Sequence, residues 1–304
     1  CKSMSLLLAT LLRKAGIEAH LAITGTNDIP WNIKDNPSLA SANHAVCIVP
    51  EGDKFLVLDP TQDQISFRHT PAWLCGKDAM MITDTGYQMI NFHTVSPCVS
   101  EDIGTYTYIF DGEHLYGTVQ RKATEDFAQM LSADISGIPG QHLKEYLGKG
   151  LVPLSRAVIP TDSIKLETST PGCISISAPL LNETAITQLD GISYLDLNIS
   201  DLPFSSRIET KDRREDYYFP IKGKIERTST VMIPQNESIQ LPEGLDIDYP
   251  WANLRCTFAH TGDKISLTKS LEIKDSKIPV DKIPEWNKAL SQWNAACNQQ
   301  IEIK

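Results

Sequence analysis

A chain of 304 residues, 41% hydrophobic and 22% charged, has the composition of a folded protein with a proper core, and its length suits two or three domains. Its formal net charge of −10 argues against nucleic acid as the main partner, because phosphate binding needs clustered Lys and Arg. No apolar run approaches the roughly 18 to 20 residues that span a bilayer, so no transmembrane segment is expected.

The chain opens on Cys1-Lys2-Ser3-Met4, and apolar residues recur at Met4, Leu7, Leu8, Leu11, Leu12 and Ala15. That spacing predicts a helix with a buried apolar stripe, closed by Gly16 and carrying Arg13 and Lys14 at its negative pole. Unpaired N–H groups at the other pole favour negative charge, so Cys1 is either a thiolate-leaning nucleophile or a bystander. Residues 17–24 alternate as a strand, with His20 on the polar side as a surface or packing histidine. Residues 25–42 read as a loop rich in Asn, Asp, Pro and Ser around Trp31. A loop of that length inside a compact unit is often functional, which makes Trp31, with Asn43 at the loop's end, a candidate to line a substrate groove. The other reading of Trp31 is a plain hydrophobic anchor.

Strands are expected at 43–50 and 53–59, joined by a turn at Glu51-Gly52. In that register His44 faces Asp59, Val46 faces Val57 and Ile48 faces Phe55. Opposed residues have Cβ atoms about 5 Å apart, close enough for an imidazole–carboxylate hydrogen bond; a shifted turn would make the contact diagonal. Either the pair is a base with its orienting acid, or the two residues cap strand ends in solvent. A thiolate needs a histidine to share its proton, and that histidine needs a carboxylate to fix its tautomer, so Cys1, His44 and Asp59 together supply all three types.

Beyond residue 62 the chemistry thins. Short apolar runs such as Ala79-Met80-Met81-Ile82 fill residues 62–100, with Phe67, Trp73 and Phe92 expected in the core. A hairpin is expected around Asp111-Gly112, and helical pattern covers 123–149 with a break at Gly137-Ile138-Pro139-Gly140. Several strands follow in 151–210, then a solvated charge run at Asp212-Arg213-Arg214-Glu215-Asp216, then strands at 217–223, 225–233, 252–260 and 264–272. Ile283, Trp286, Leu290 and Trp293 sit at helical spacing before a last short strand. The cysteines at 1, 47, 75, 98, 173, 256 and 297 form no CxxC pair, which supports neither a zinc ribbon nor a disulfide framework. His69, His93, His114, His142 and His260 are isolated, and no GxxxxGK[ST], GxGxxG, HExxH or EF-hand pattern occurs, so neither metal nor cofactor is expected. Three N-glycosylation patterns, at Asn182, Asn198 and Asn236, are near chance in a Ser/Thr-rich chain.

Cys1-Lys2-Ser3 with its apolar helix ending Leu-Leu-Arg-Lys-Ala-Gly-Ile-Glu-Ala, then Asn43-His44-Ala45-Val46, then Val57-Leu58-Asp59-Pro60-Thr61, resembles the transglutaminase-like superfamily, in particular its bacterial branch. The motifs cover residues 1 to about 62. The resemblance implies an α+β fold: an N-terminally truncated, papain-like transglutaminase core over 1–98, a β-rich domain with a helical insertion over 99–204, and a β-sandwich-like domain over 205–304, the last two mostly antiparallel. It implies Cys1 as nucleophile, His44 as general base and acid, and Asp59 as orienting carboxylate. Ser3 stands where the family usually has an acidic or other polar residue, and family helices upstream of the cysteine help complete the oxyanion hole, whereas nothing precedes Cys1 here. The implied activity is amide hydrolysis or acyl transfer on a peptide or protein substrate (a Gln or other amide carbonyl), in the periplasm or at the surface of a bacterium. The alternative is a catalytically impaired binding or scaffold module whose β-rich part does the work.

Overall fold

The computed structural model describes residues 1–92, 100–111, 113–153, 156–233 and 238–304. His93, Cys98, the expected boundary at 98/99, Gly112 of the expected Asp111-Gly112 turn and the Asn236 glycosylation pattern lie outside the described residues. The chain divides into two compact units. The first holds residues 1–99, 125–132 and 171–173; the second holds 100–124, 133–170 and 174–304.

In the first unit, helix α1 (Lys2–Lys14) is followed by β1 (His20–Thr24), β2 (His44–Glu51), β3 (Lys54–Leu58), β4 (Asp78–Thr83) and β5 (Gly86–Asn91). They form one antiparallel sheet in the order β3-β2-β1-β4-β5. Both faces of β2 are covered, so it reads as a nearly continuous apolar run. One face, with Val46, Ile48 and Val57, packs against Leu74, Met81, Ile90 and Phe92. The other, with Cys47, Val49 and Leu58, packs against Leu8, Ala9 and Leu12 of α1. Phe92 is in this core and Trp73 packs on it, but Phe67, expected inside, is 62% exposed.

The expected helix forms, with a different buried stripe. Ser5 and Ala9 are buried, whereas Met4, Leu7 and Leu11 are each about half exposed. The phase of the buried face is set by Ser5, whose Oγ donates to the Ala45 carbonyl at 2.8 Å. A buried hydroxyl is tolerated where it is hydrogen-bonded, and this one orients α1 on the sheet.

The second unit begins with β6 (Glu101–Phe110) and β7 (Leu115–Thr124). Then come α2 (Asp126–Ser136), which starts in the first unit, α3 (Gly140–Leu151), β8 (Lys165–Glu167), β9 (Cys173–Asn182), β10 (Ile186–Leu189) and β11 (Ile192–Leu195). Next are β12 (Tyr217–Tyr218), β13 (Gly223–Met232), β14 (Ile239–Gln240), β15 (Leu245–Asp248), β16 (Ala252–Thr261), β17 (Lys264–Ile273) and β18 (Lys277–Ile278). Helix α4 (Ile283–Cys297) and β19 (Ile301–Ile303) complete it. Eight strands share one sheet, β15-β16-β17-β13-β6-β7-β9-β8, and four share another, β10-β11-β19-β14.

This overturns the expected fold class. Strands outnumber α-helices nineteen to four among the described residues, a mostly β protein rather than one with a papain-like α+β core. The large sheet draws strands from both sides of residue 204, and among mostly antiparallel pairings its centre is a parallel one, Lys224↔Glu101 to Met232↔Ile109. Local periodicity identifies strands but not their partners when these lie more than a hundred residues apart.

That central seam carries buried charge. Asp102, with no exposure, accepts two hydrogen bonds from Arg121 at 2.8 Å and one from Arg227 at 2.9 Å, and Arg227 also donates to the Asp102 carbonyl at 2.7 Å. Gly104 makes room: a Cβ there would meet Arg227 Cδ at 2.5 Å. Burial raises the Asp102 pKa, but Arg227 and Arg121 outweigh it and hold the carboxyl below its ordinary value. Because the folded value is depressed, its contribution is present above the ordinary carboxylate range and is lost as pH falls through the folded value. Asp102→Ala leaves two guanidinium groups without their carboxylate, and urea unfolding should show a loss of about 3–5 kcal/mol at neutral pH.

Candidate active site

Cys1 is the N-cap of α1 and is exposed; its carbonyl accepts the Ser5 N–H at 2.9 Å. Ser5 in turn holds Ala45, so the first turn of the helix is tied to the residue after His44. Ala45 lies beyond the last β2–β3 pair, Cys47↔Leu58, where its carbonyl is available to Ser5.

The observed turn is Gly52-Asp53, with Glu51 paired to Lys54 and Pro50 to Phe55. Gly52 has φ +62°, the positive value that a hairpin turn needs at its first central position. The register is therefore shifted by two residues from the expected one. A two-residue shift preserves the side-chain faces, so His44 and Asp59 meet diagonally. His44 Nε2 and Asp59 Oδ2 are 2.7 Å apart, and the Asp59 side chain is 1% exposed. The other carboxylate oxygen, Oδ1, accepts the Thr61 N–H at 3.1 Å and the Thr61 hydroxyl at 2.6 Å. Burial pushes the Asp59 pKa up, but the His44 and Thr61 hydrogen bonds outweigh it and hold the carboxyl below its ordinary value. The Asp-Pro-Thr spacing is that of an Asx turn, in which an Asp binds the backbone two residues on.

Among the described residues Cys1 and His44 share no hydrogen bond. Strand alternation puts His44 on the face of Val46 and Ile48, while Leu8 and Leu12 of α1 pack on the face of Cys47 and Val49. The structure thus brings His44 and Asp59 together and ties Cys1 to the same strand through Ser5.

Asn43 is exposed and hydrogen-bonded to Thr26. Its Oδ1 accepts the Thr26 N–H and its Nδ2 donates to the Thr26 hydroxyl, both at 2.9 Å, which fastens the loop's start to the entrance of β2. On either side of Trp31, Lys77 Nζ donates to the Ile29 carbonyl and Asn32 Oδ1 accepts the Asp78 N–H. Trp31 itself is 44% exposed between these anchors. His20 is held by Glu18 at 2.9 Å and by the Ile82 carbonyl at 3.1 Å, a packing role.

A second imidazole–carboxylate pair was missed. His69 Nε2 and Asp126 Oδ2 are 2.7 Å apart, and Asp126 Oδ1 accepts the Ala72 N–H at 3.0 Å. Beside it, Glu125 accepts the Ser66 N–H and hydroxyl, and Gln129 Oε1 accepts the N–H groups of Asp63 and Gln64. The start of α2 therefore stitches down the segment that continues from Asp59. His69 and Asp126 are 57 residues apart, and no local spacing signals their pairing. Among the described residues no three His, Cys, Asp or Glu side chains gather as a metal site.

A family model described as a Domain of Unknown Function with solved-structure structure (DUF3858) matches residues 192–303, all in the second unit. Among curated proteins none matches the chain. A solved structure from Parabacteroides distasonis ATCC 8503, provisionally described as a protease, is similar at 12% identity with a TM-score of 0.48 over 98% of the chain. The chain spans 42% of that protein's length.

Burial pulls the His69 pKa down, but its hydrogen bond and charge pairing with Asp126, with Glu125 nearby, outweigh burial and raise it above the ordinary imidazole value. A raised folded value contributes stability that is fully present below the unfolded pKa, about 6.5, and is lost as pH rises through the folded value. Wild-type urea midpoints should therefore fall between pH 6 and 8 relative to His69→Gln, whose profile should be flatter across that window.

Proposed function

We propose that the first unit is a transglutaminase-like thiol catalyst that attacks amide carbonyls. The observation that carries this reading is the 2.7 Å contact between His44 and a buried, doubly held Asp59. Because Asp59 occupies Nε2, the nitrogen left for proton transfer is Nδ1. In the proposed reaction Cys1 approaches His44 around the open start of β2, where β3 no longer pairs. The Cys1 thiol loses its proton to Nδ1, the sulfur attacks the amide carbon, and the imidazolium protonates the leaving amine. Water, activated by the same nitrogen, then releases the acyl group as a carboxylic acid; a lysine amine in its place would give transamidation. Asp59 fixes the ring and stabilises the imidazolium. Trp31 is the side chain best presented to a peptide. No helix among the described residues is long and apolar enough to cross a membrane. An extracytoplasmic bacterial setting is part of the proposal and rests on the motif resemblance alone.

The absence of a hydrogen bond between Cys1 and His44 among the described residues favours a second reading, an impaired core serving as a binding module. Alkylation separates the two. A catalytic Cys1 should react with iodoacetamide at pH 7 ahead of the other cysteines, and His44→Ala should slow that reaction at least tenfold. Cys1→Ala should abolish amide hydrolysis on a peptide panel, and His44→Ala should reduce it by about 10²–10⁴-fold. Unchanged hydrolysis in Cys1→Ala would sink the first reading; alkylation of Cys1 at the rate of a free thiol, indifferent to His44, would establish the second.

A further inference from the structure

One row of residues crosses the large sheet of the second unit: Cys256, Lys269, Arg227, Gly104 and Arg121 are successive cross-strand partners. Three of the five are cations, and opposed like charges repel. Asp102 neutralises the two arginines. Among the described residues Lys269 has no direct carboxylate partner: its buried ammonium donates to Asn198 Oδ1 and to the Ser200 carbonyl, both neutral. Burial pushes Lys269 down to about 8, against the opposing pull of Cys297 and Asp201.

The neighbour at the end of that row is a thiol, and a second thiol lies over it. Trp293 Nε1 in α4 donates to the Arg255 carbonyl at 2.9 Å, and Cys297 stands one turn further on the same helix face. Arg255 immediately precedes Cys256. Cys256 and Cys297 are each 1% exposed and free, and the two thiols are neighbours that shift one another's pKa. Asn298 Oδ1, just past Cys297, accepts from Asn198 Nδ2 at 2.6 Å, which ties the helix end to the lysine's own partner. Cys297 and Lys269 favour the Cys256 thiolate against the opposing effect of burial, whereas Cys297 is shifted up by Cys256 and by burial. Two isolated buried thiols would be ordinary small hydrophobes; a surplus ammonium beside one of them gives that one a nucleophile's surroundings.

We propose that Cys256 and Cys297 are a reversible dithiol–disulfide pair, oxidised by exchange with a small disulfide and clamping α4 to β16. The Cys256 thiolate attacks one sulfur of the oxidant, forms a mixed disulfide and expels one thiolate, which takes up the Cys256 proton. Cys297 then attacks the Cys256 sulfur and expels the second thiolate, which takes up the Cys297 proton. One oxidant disulfide is consumed, two small thiols are released, and the protein loses two hydrogens. Both sulfurs are buried, so exchange proceeds through the population in which the last turn of α4 has lifted.

The test is oxidation of the full chain in glutathione redox buffers, with and without refolding from urea, followed by acid quench, alkylation and peptide mapping. The expected product is a Cys256–Cys297 linked peptide, with a rise of several degrees in the unfolding midpoint that dithiothreitol reverses. Lys269→Met, which keeps an apolar stem, should slow oxidation about tenfold at pH 7 and recover at pH 9. If both thiols stay alkylatable after oxidative refolding, or Cys256 links to another cysteine, the proposal fails. Cys256→Ser and Cys297→Ser serve as controls, and the wild-type map decides the question if either fails to fold.

Discussion

The hydrogen bond between His44 and Asp59 depends on where a ladder stops. β2 and β3 pair from Glu51↔Lys54 to Cys47↔Leu58 and no further, so Asp59 and His44, which is still paired with Thr24 of β1, both stand past the last rung of that ladder. Two local devices then take over. The Asx turn to Thr61 fixes one carboxylate oxygen and aims the other, and the Ser5 hydroxyl donates to the Ala45 carbonyl, which in the β3 register would lie opposite Pro60, a residue with no N–H to offer. Move the end of the ladder by two residues in either direction and the imidazole either pairs with a different side chain or loses its partner to solvent. The proposed chemistry of the first unit thus rests on strand termination more than on helix or loop.

Much of this was legible in the chain. The alternation in 43–50 and 53–59 predicts the hairpin, and a turn misplaced by one residue still left His44 and Asp59 in reach because the error changed the register by an even number. The first helix was legible too, from its period, though not from its phase: Met4, Leu7 and Leu11 outweigh Ser5 in any count of apolar residues, yet a single buried hydroxyl with a partner forty residues away turns the helix. Fold class was not legible. It depends on β6 finding β13, and residues 101–109 and 224–232 carry no mark that they belong together. The same limit hid the His69–Asp126 pair and the contact between Cys256 and Cys297, each of which joins separate stretches of chain.

The two units handle buried polarity differently. In the first, buried carboxylates are met mainly by imidazoles, hydroxyls and backbone N–H groups, neutral partners or ones that titrate. In the second, fixed cations line the middle of a sheet and a single aspartate serves two of them. The DUF3858 match lies wholly in that second setting, with Lys269, Cys256 and Cys297 inside it, while the candidate catalytic residues lie outside it.

The parallel seam between β6 and β13 also has a bearing on synthesis. A ribosome delivers β6 and β7 early, and the hairpin they form has an open edge until β13 follows more than a hundred residues later. At about 5–20 residues per second that interval is on the order of ten seconds, during which a strand bearing Tyr106 and Tyr108 lacks its eventual neighbour. Such an edge is a template for other chains. Expression yield should therefore respond to translation speed through residues 125–222, where a pause lengthens the exposure of a surface the finished protein never shows.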